Sequence, residues 1–221
     1  MSHDASANRP LLSGTPLRLL IGGVLLINGL FPALWILFTS LKTEAELTLK
    51  PITWLPAAPT LANYVRAFTD QPLLVFLFNS FMVAILSTAL TLFVSVLAAY
   101  ALARLNIRGR DLILSAIIAV STFPLVTLLV PLFEIMRALG FLNTWVALIL
   151  PYTVLSLPVC TLILVSFFEG IPRDLENSAM IDGCTRIGAL FKVVVPLSAP
   201  GVFTAGILAF VNAWDEFLLA L

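Results

Sequence analysis

The chain has 221 residues, of which 60% are hydrophobic and 11% are charged, and its mean hydropathy is +1.07. Soluble domains are about half apolar and about a quarter charged, so this composition excludes a protein whose main solvent is water. The 12 basic and 12 acidic residues balance, and no field of one sign is available to recruit nucleic acid. The only histidine, His3, lies in a polar tail, and we therefore expect no catalytic residue and no metal site.

Apolar blocks long enough to cross a bilayer recur along the chain, since a helical span needs about 20 residues. Within a bilayer these blocks must be helices, so the sequence predicts an all-α integral membrane protein. Residues 1–16 are polar, do not have the pattern of a signal peptide and are predicted to form a disordered tail. Residues 17–41 are the first predicted span, and residues 42–71 form a polar, proline-containing loop.

Residues 72–221 are predicted to form the transmembrane core. Its apolar spans are residues 72–103, 112–136, 142–168 and 201–221, and a polar stretch at 169–200 separates the last two. The chain therefore has about five predicted transmembrane helices. Prolines inside the third and fourth spans indicate bends around a path, although ordinary packing kinks explain each of them equally well.

The distribution of basic residues predicts the orientation. With the N-terminus inside, eight Lys and Arg residues fall on the cytoplasmic side and four fall outside. The cytoplasmic group comprises Arg9, Arg18, Arg104, Arg108, Arg110, Arg173, Arg186 and Lys192, and the external group comprises Lys42, Lys50, Arg66 and Arg137. The positive-inside rule then places the N-terminus and the 169–200 loop in the cytoplasm, with the 42–71 loop outside.

The 169–200 loop has the pattern of a helical hairpin. Pro172 is a helix-start residue, Gly183 can provide a left-handed stop, and a second helix is predicted near residues 187–191 before Pro196 re-enters the membrane. Small residues such as Ser178 would let another protein approach the backbone closely. Periodicity alone leaves two alternatives open, which are a docking element and an interfacial helix that covers the bundle.

This loop carries the signature E-A-A-x3-G-x9-I-x-L-P with its spacing preserved. The signature is matched by Asn177-Ser178-Ala179, Gly183 and Val193-Val194-Val195-Pro196. Here Asn177 and Ser178 replace the leading Glu and the first Ala, while Glu176 lies next to them. The chain thus resembles the permease subunits of ATP-binding-cassette importers.

Further stretches resemble the sugar permeases of the maltose type within that family. These are Asn63-Tyr64, Asn79-Ser80, Ala98-Ala99-Tyr100-Ala101 with Arg104, Arg108-Gly109-Arg110, Gly170-Ile171-Pro172-Arg173-Asp174-Leu175, Ile181-Asp182-Gly183 and Trp214-Asp215-Glu216-Phe217. Members of the family typically have six spans. The resemblance therefore implies either that the sequence continues beyond Leu221 or that the permease is shortened.

The resemblance implies that the loop couples the spans to a separate ATPase. The coupling residues would be Glu176, Asn177, Ser178, Ala179, Asp182, Gly183 and Pro196. No phosphate-binding G-x-x-x-x-G-K-[ST] loop is present, so we expect no cofactor on this chain and ATP use by the partner. The expected partners are a second homologous permease, a dimeric cytoplasmic ATP-binding subunit, an extracytoplasmic solute-binding protein and the lipid bilayer of a bacterial plasma membrane.

The fifth span holds the acidic pair of Asp215 and Glu216. Carboxylates inside a membrane need a wet or paired environment, and adjacent helical residues point about 100° apart, so we expect only one of the two to face a solute path. The candidate path residues are Asn212, Trp214, Asp215 and Glu216. Snorkelling of the carboxylates to the outer boundary is the alternative.

Two other functions are compatible with the sequence. One is a secondary transporter that uses Asp215 or Glu216 as a proton carrier, which leaves the 169–200 motif unexplained. The other is a structural or regulatory membrane subunit without a path. The favoured interpretation is a permease subunit that forms half of a path for a sugar or a related solute.

Overall fold

The computed structural model describes residues 15–216, and this part of the chain is helical without β-strands. The helices are α1 (Thr15–Ser40), α2 (Glu44–Leu47), α3 (Ala62–Thr69), α4 (Leu73–Arg104), α5 (Arg110–Ser121), α6 (Leu125–Ala138), α7 (Val146–Glu169), α8 (Arg173–Ile181), α9 (Arg186–Ala189), α10 (Val195–Leu197) and α11 (Ala199–Asp215). The predicted all-α class is confirmed. The chain divides into two compact units, residues 1–74 and 75–221.

Within the described residues, three single helices are long and apolar enough to cross a membrane. They are Arg18–Ser40, Leu73–Arg104 and Val146–Glu169. Two bent helix pairs raise the number of candidate spans to five if each pair counts as one span. Most of the predicted tail (residues 1–16) and the last five residues of the predicted fifth span lie outside the described residues.

The third predicted span is divided into two helices at one of the prolines that predicted a bend. The chain between α5 and α6 turns so that Arg110–Ser121 and Val126–Ala138 meet at 97°. Pro124 stands at the break in an extended conformation, with φ of −68° and ψ of 128°. Proline lacks a backbone N–H and disfavours helical geometry at the preceding residue, so the helix ends before it. Pro131, in contrast, lies inside α6.

The first unit contains α1 and a loop held by polar side chains. The Asn63 amide donates to the carbonyl oxygens of Ser40 at 2.9 Å and Lys42 at 2.8 Å. Buried Glu46 accepts hydrogen bonds from the Thr53 hydroxyl at 2.8 Å and the Ala57 amide at 3.0 Å. These bonds lower the pKa of Glu46 below its ordinary value of 4.5, the backbone bond having the larger effect. Three side chains thereby fix an otherwise irregular segment.

The second unit is built around α4, α7 and α11. A row of small residues on α11 is buried, comprising Gly201, Ala205, Ala209 and Ala213. Small residues at every fourth position let helices approach closely within a membrane. At Gly201 the approach is closest, because an added Cβ would lie 2.4 Å from Cγ of Phe167 on α7. The packing of α7 on α11 therefore depends on this glycine.

Candidate functional site

The helix α8 begins and ends where the sequence signals predict. Pro172 is its N-cap residue and adopts an extended ψ of 132°. Gly183 follows the helix with φ of +92°, its amide bonds to the Met180 carbonyl, and the Cys184 amide bonds to the Ala179 carbonyl. This bond pair is a Schellman motif, which favours glycine at the left-handed position. The predicted left-handed stop at Gly183 is confirmed.

Glu176 points from α8 into the bundle and not toward solvent. Its Oε1 accepts a hydrogen bond from the Tyr100 hydroxyl, and its Oε2 lies 3.3 Å from Nε of Arg104. The side chains of Arg104 and Glu176 are only 4% and 7% exposed. Sequence reasoning had grouped Glu176 with the residues that face a partner. Its geometry instead makes it an attachment of α8 to α4.

Two more polar contacts hold the start of α8 against the end of α4. Arg104 donates from its NH2 group to the Ile171 carbonyl at 2.8 Å, and Arg173 donates to the Ala103 carbonyl at 3.4 Å. The carbonyls at a helix C-terminus have no intrahelical partner, so a guanidinium is a suitable donor for them. Nearby, Arg110 pairs with Glu169 and donates to the Leu102 carbonyl at 2.7 Å.

After α8, the chain returns to the bundle through α9, a π-helical turn (Leu190–Val194) and α10. Leu190 and Val194 are fully buried in the core formed with α4, α7 and α11. Pro196 is exposed just beyond the π-helical turn and cannot donate a backbone bond, so the regular i to i−4 ladder is broken there. The helical stretch 186–197 meets α11 at 83°, which lays it across the end of the bundle.

The outward surface of this segment carries exposed apolar side chains. Ile181 is 85% exposed and Ile187 is 64% exposed. They share that surface with the exposed residues Asn177, Ser178, Asp182 and Gly183. Sequence reasoning quoted Ile181 as part of a motif but did not assign it or Ile187 to the surface. The segment thus exposes two large apolar side chains among polar residues.

A cavity of about 450 Å³ lies at the opposite end of the second unit. Its polar lining includes Asn79, Ser80, Tyr152 and Glu216, and its aromatic lining includes Trp214. The Tyr152 hydroxyl donates to Oε2 of Glu216 at 2.9 Å. The structure therefore brings two of the four candidate path residues, Trp214 and Glu216, to one cavity.

The other two candidate path residues lie elsewhere. Asn212 and Asp215 are exposed and do not line the cavity. Adjacent Asp215 and Glu216 differ because α11 ends at Asp215 and the backbone becomes extended at Glu216, with ψ of 127°. This local change of direction turns only the second carboxylate toward Tyr152.

A helical bundle with several candidate spans, a helical segment across one end and a polar cavity at the other defines a multi-span membrane protein. Residues 92–221 match the family model described as binding-protein-dependent transport system inner membrane component. A crystal structure of a bacterial ABC transporter that imports the acidic polysaccharide alginate matches with a TM-score of 0.78. That match covers 98% of this chain and 75% of the other at 23% identity, and it shows a common fold.

Three curated relatives are permease proteins. The chain is 84% identical to the sulfoquinovosyl glycerol transport system permease protein SmoH of Agrobacterium fabrum, covering 95% of this chain and 73% of SmoH. It is 42% identical to the trehalose transport system permease protein SugB of Mycobacterium tuberculosis, covering 87% and 69%. It is 39% identical to the trehalose/maltose transport system permease protein MalG of Thermococcus litoralis, covering 92% and 73%.

The chain therefore belongs to the family of inner membrane components of binding-protein-dependent transport systems. Its relatives are transporter permease subunits and not enzymes. The predicted family, the permease function and the expectation that the chain is not an enzyme are confirmed.

Proposed function

We propose that this chain forms half of the transmembrane path of an ATP-driven importer for a sugar or a related solute. A second homologous permease supplies the other half, and an extracytoplasmic binding protein delivers the solute. The energy comes from ATP hydrolysed by a dimeric partner subunit, while this chain binds no cofactor of its own. Family membership supports the proposal, since the family consists of components of binding-protein-dependent systems.

The surface formed by Asn177, Ser178, Ile181, Asp182, Gly183 and Ile187, which we name the coupling surface, is the proposed docking site of the ATPase. The observation that carries this assignment is the 85% exposure of Ile181 on a segment that is otherwise anchored in the bundle. When a partner covers a large exposed apolar side chain, the apolar surface leaves water and its burial stabilises the complex. The coupling surface lies in the cytoplasm if the N-terminus is inside.

A pull-down of the ATPase subunit with membrane-extracted permease tests this docking site. Ile181→Glu places a charge in the proposed interface, and we expect recovery of the ATPase to fall by about tenfold or more. Ile181→Leu keeps an apolar side chain of the same size and should bind normally. Undiminished recovery with Ile181→Glu, at an unchanged amount of permease in the membrane, would contradict the proposed docking site.

The orientation has a test of its own. A reporter fused after Arg108 should be in the cytoplasm, and a reporter fused after Asn63 should be outside. The eight-to-four distribution of basic residues supports this orientation. The opposite pattern would remove the coupling surface from the side on which a cytoplasmic ATPase works.

The cavity lined by Trp214 and Glu216 is the proposed part of the solute path. Amide, hydroxyl and carboxylate groups can exchange hydrogen bonds with sugar hydroxyls, and the indole of Trp214 supplies an apolar face. Sulfoquinovosyl glycerol is the first solute to test, because the SmoH relative is 84% identical.

The two neighbouring carboxylates provide a matched comparison for the path. Glu216→Gln removes the charge that accepts the Tyr152 bond, and Asp215→Asn removes the adjacent charge outside the cavity. We expect uptake of radiolabelled solute to fall in the first variant and to stay near wild type in the second. Equal, near-silent effects would favour snorkelling of both carboxylates over a place on the path.

A further inference from the structure

We propose that Glu176 and Arg104, with Tyr100, form the joint through which movement of the coupling surface is transmitted to the long helix α4. This inference rests on the proposed coupling role of the surface and adds the internal residues that connect it to the spans. The observation that carries it is a buried carboxylate on α8 held by a tyrosine and an arginine that are one turn apart on α4.

Polar side chains attach α8 to α4. Glu176 meets Tyr100 and Arg104, while Arg173 donates to the Ala103 carbonyl at 3.4 Å. Two large apolar side chains of α8, in contrast, are exposed, Leu175 to 46% and Ile181 to 85%, while Met180 is half-buried. Apolar contact is non-directional and permits sliding, whereas a buried hydrogen bond and ion pair hold one geometry. A displacement of α8 is therefore transmitted to α4 through the contacts of Glu176 with Tyr100 and Arg104.

Stability alone gives a poor reason for these charges. Burying an ion pair removes two charges from water, and well-packed apolar residues of similar volume are often at least as stable. The pair does, however, make displacement of α8 without α4 costly, because separation would leave two unpaired buried charges. The chain after α8 is anchored differently, through buried Leu190 and Val194 in the apolar core. The helix α8 is therefore attached through hydrogen bonds and an ion pair, and the chain that follows it is attached through apolar packing.

The test uses the full complex of both permeases, the ATPase and the solute-loaded binding protein in proteoliposomes. The measured quantity is the amount of solute taken up per ATP hydrolysed. For Glu176→Gln, which keeps the side-chain size and removes the charge, we expect this ratio to fall by about fivefold or more, a magnitude typical of changes in coupling between sites. Asp174→Asn removes an exposed charge on the same helix and should leave the ratio unchanged.

The double variant Arg104→Gln/Glu176→Gln separates coupling from folding. It contains no unpaired buried charge, so it should recover the membrane abundance that a single variant loses. Its uptake per ATP should stay low, whereas a purely structural ion pair would return a wild-type ratio. A wild-type ratio in the Glu176→Gln complex or in the double variant would overturn the joint.

If neither charge variant assembles, Tyr100→Phe decides, since it removes only the hydroxyl that donates to Glu176. A fall of about tenfold in uptake per ATP would then support the joint, in line with the loss of one hydrogen bond to a charged group, and an unchanged ratio would overturn it. The proposed docking site fails separately. If the ATPase is still recovered with Ile181→Glu, the proposed docking site is wrong. If Ile181→Glu loses the ATPase but Glu176→Gln keeps the wild-type uptake per ATP, the docking site stands and only the proposed joint is wrong.

Discussion

Replacement of Gly183 by valine tests the end of α8. At φ of +92°, a residue with a Cβ costs about 1–2 kcal/mol more than glycine. No atom lies within 4 Å of an added Cβ, so the penalty that the structure shows is this backbone cost. Since 1.4 kcal/mol is about a factor of ten, we expect the binding-competent helix end, and with it ATPase recovery in a pull-down, to fall about tenfold.

A second substitution at the same position separates backbone strain from close approach of the partner. Gly183→Asn introduces a side chain that tolerates the left-handed conformation, so it should preserve the helix end. If ATPase recovery falls with Asn as well as with Val, the partner requires close contact with the backbone. Wild-type recovery with Gly183→Val, at normal abundance in the membrane, would refute the importance assigned to this turn.

Two further predictions concern the scaffold. Gly201→Ala should lower the free energy of unfolding of the detergent-solubilised protein by about 1–3 kcal/mol, and with it the melting temperature, because the new Cβ would stand 2.4 Å from Cγ of Phe167. Gly29→Ala, with no atom within 4 Å, serves as its control, and equal melting temperatures would contradict the proposed packing. The lowered pKa of Glu46 means that its contribution is present above pH 4.5 and is lost as the pH falls through the lower folded value. Hydrogen-exchange protection in residues 42–60, corrected for the intrinsic pH dependence of amide exchange, should therefore fall in acid for the wild type but not for Glu46→Gln, and identical pH profiles would reject this role.

Features governed by local rules could be predicted from the sequence. Pro172 and Gly183 set the ends of α8 because a proline start and a left-handed glycine stop depend on a few neighbouring residues. A second helix before Pro196 was predicted similarly near residues 187–191, where the structure has α9 and the π-helical turn. The family resemblance at this loop added the coupling role, which periodicity had left open between two alternatives.

Features governed by contacts distant in sequence could not be predicted. Glu176 is adjacent to the signature, and the sequence alone did not identify Tyr100 and Arg104, more than 70 positions away, as its partners. The motif containing Tyr100 and Arg104 held the signal, since two polar residues at i and i+4 share a helix face at the end of a span. The sequence likewise did not separate Asp215 from Glu216, because that difference depends on where α11 ends.

The break before α6 shows a third kind of limit. Pro124 and Pro131 are both prolines in one apolar block, and the expectation of a single bent span treated them alike. The structure ends one helix before Pro124 and continues another through Pro131. Proline tolerance within a membrane helix depends on which groups satisfy the freed carbonyl, and that depends on the tertiary environment.

The most direct test of the central claim uses the purified complex of this chain, its partner permease and the ATPase in proteoliposomes. Addition of a binding protein loaded with sulfoquinovosyl glycerol should stimulate ATP hydrolysis and drive solute uptake, and uptake should continue when the proton gradient is collapsed at constant ATP. Uptake that stops with the proton gradient while ATP remains would identify a secondary transporter. If no sugar-loaded binding protein tested changes the rate of ATP hydrolysis or of solute uptake, the chain is not a permease of a binding-protein-dependent sugar importer.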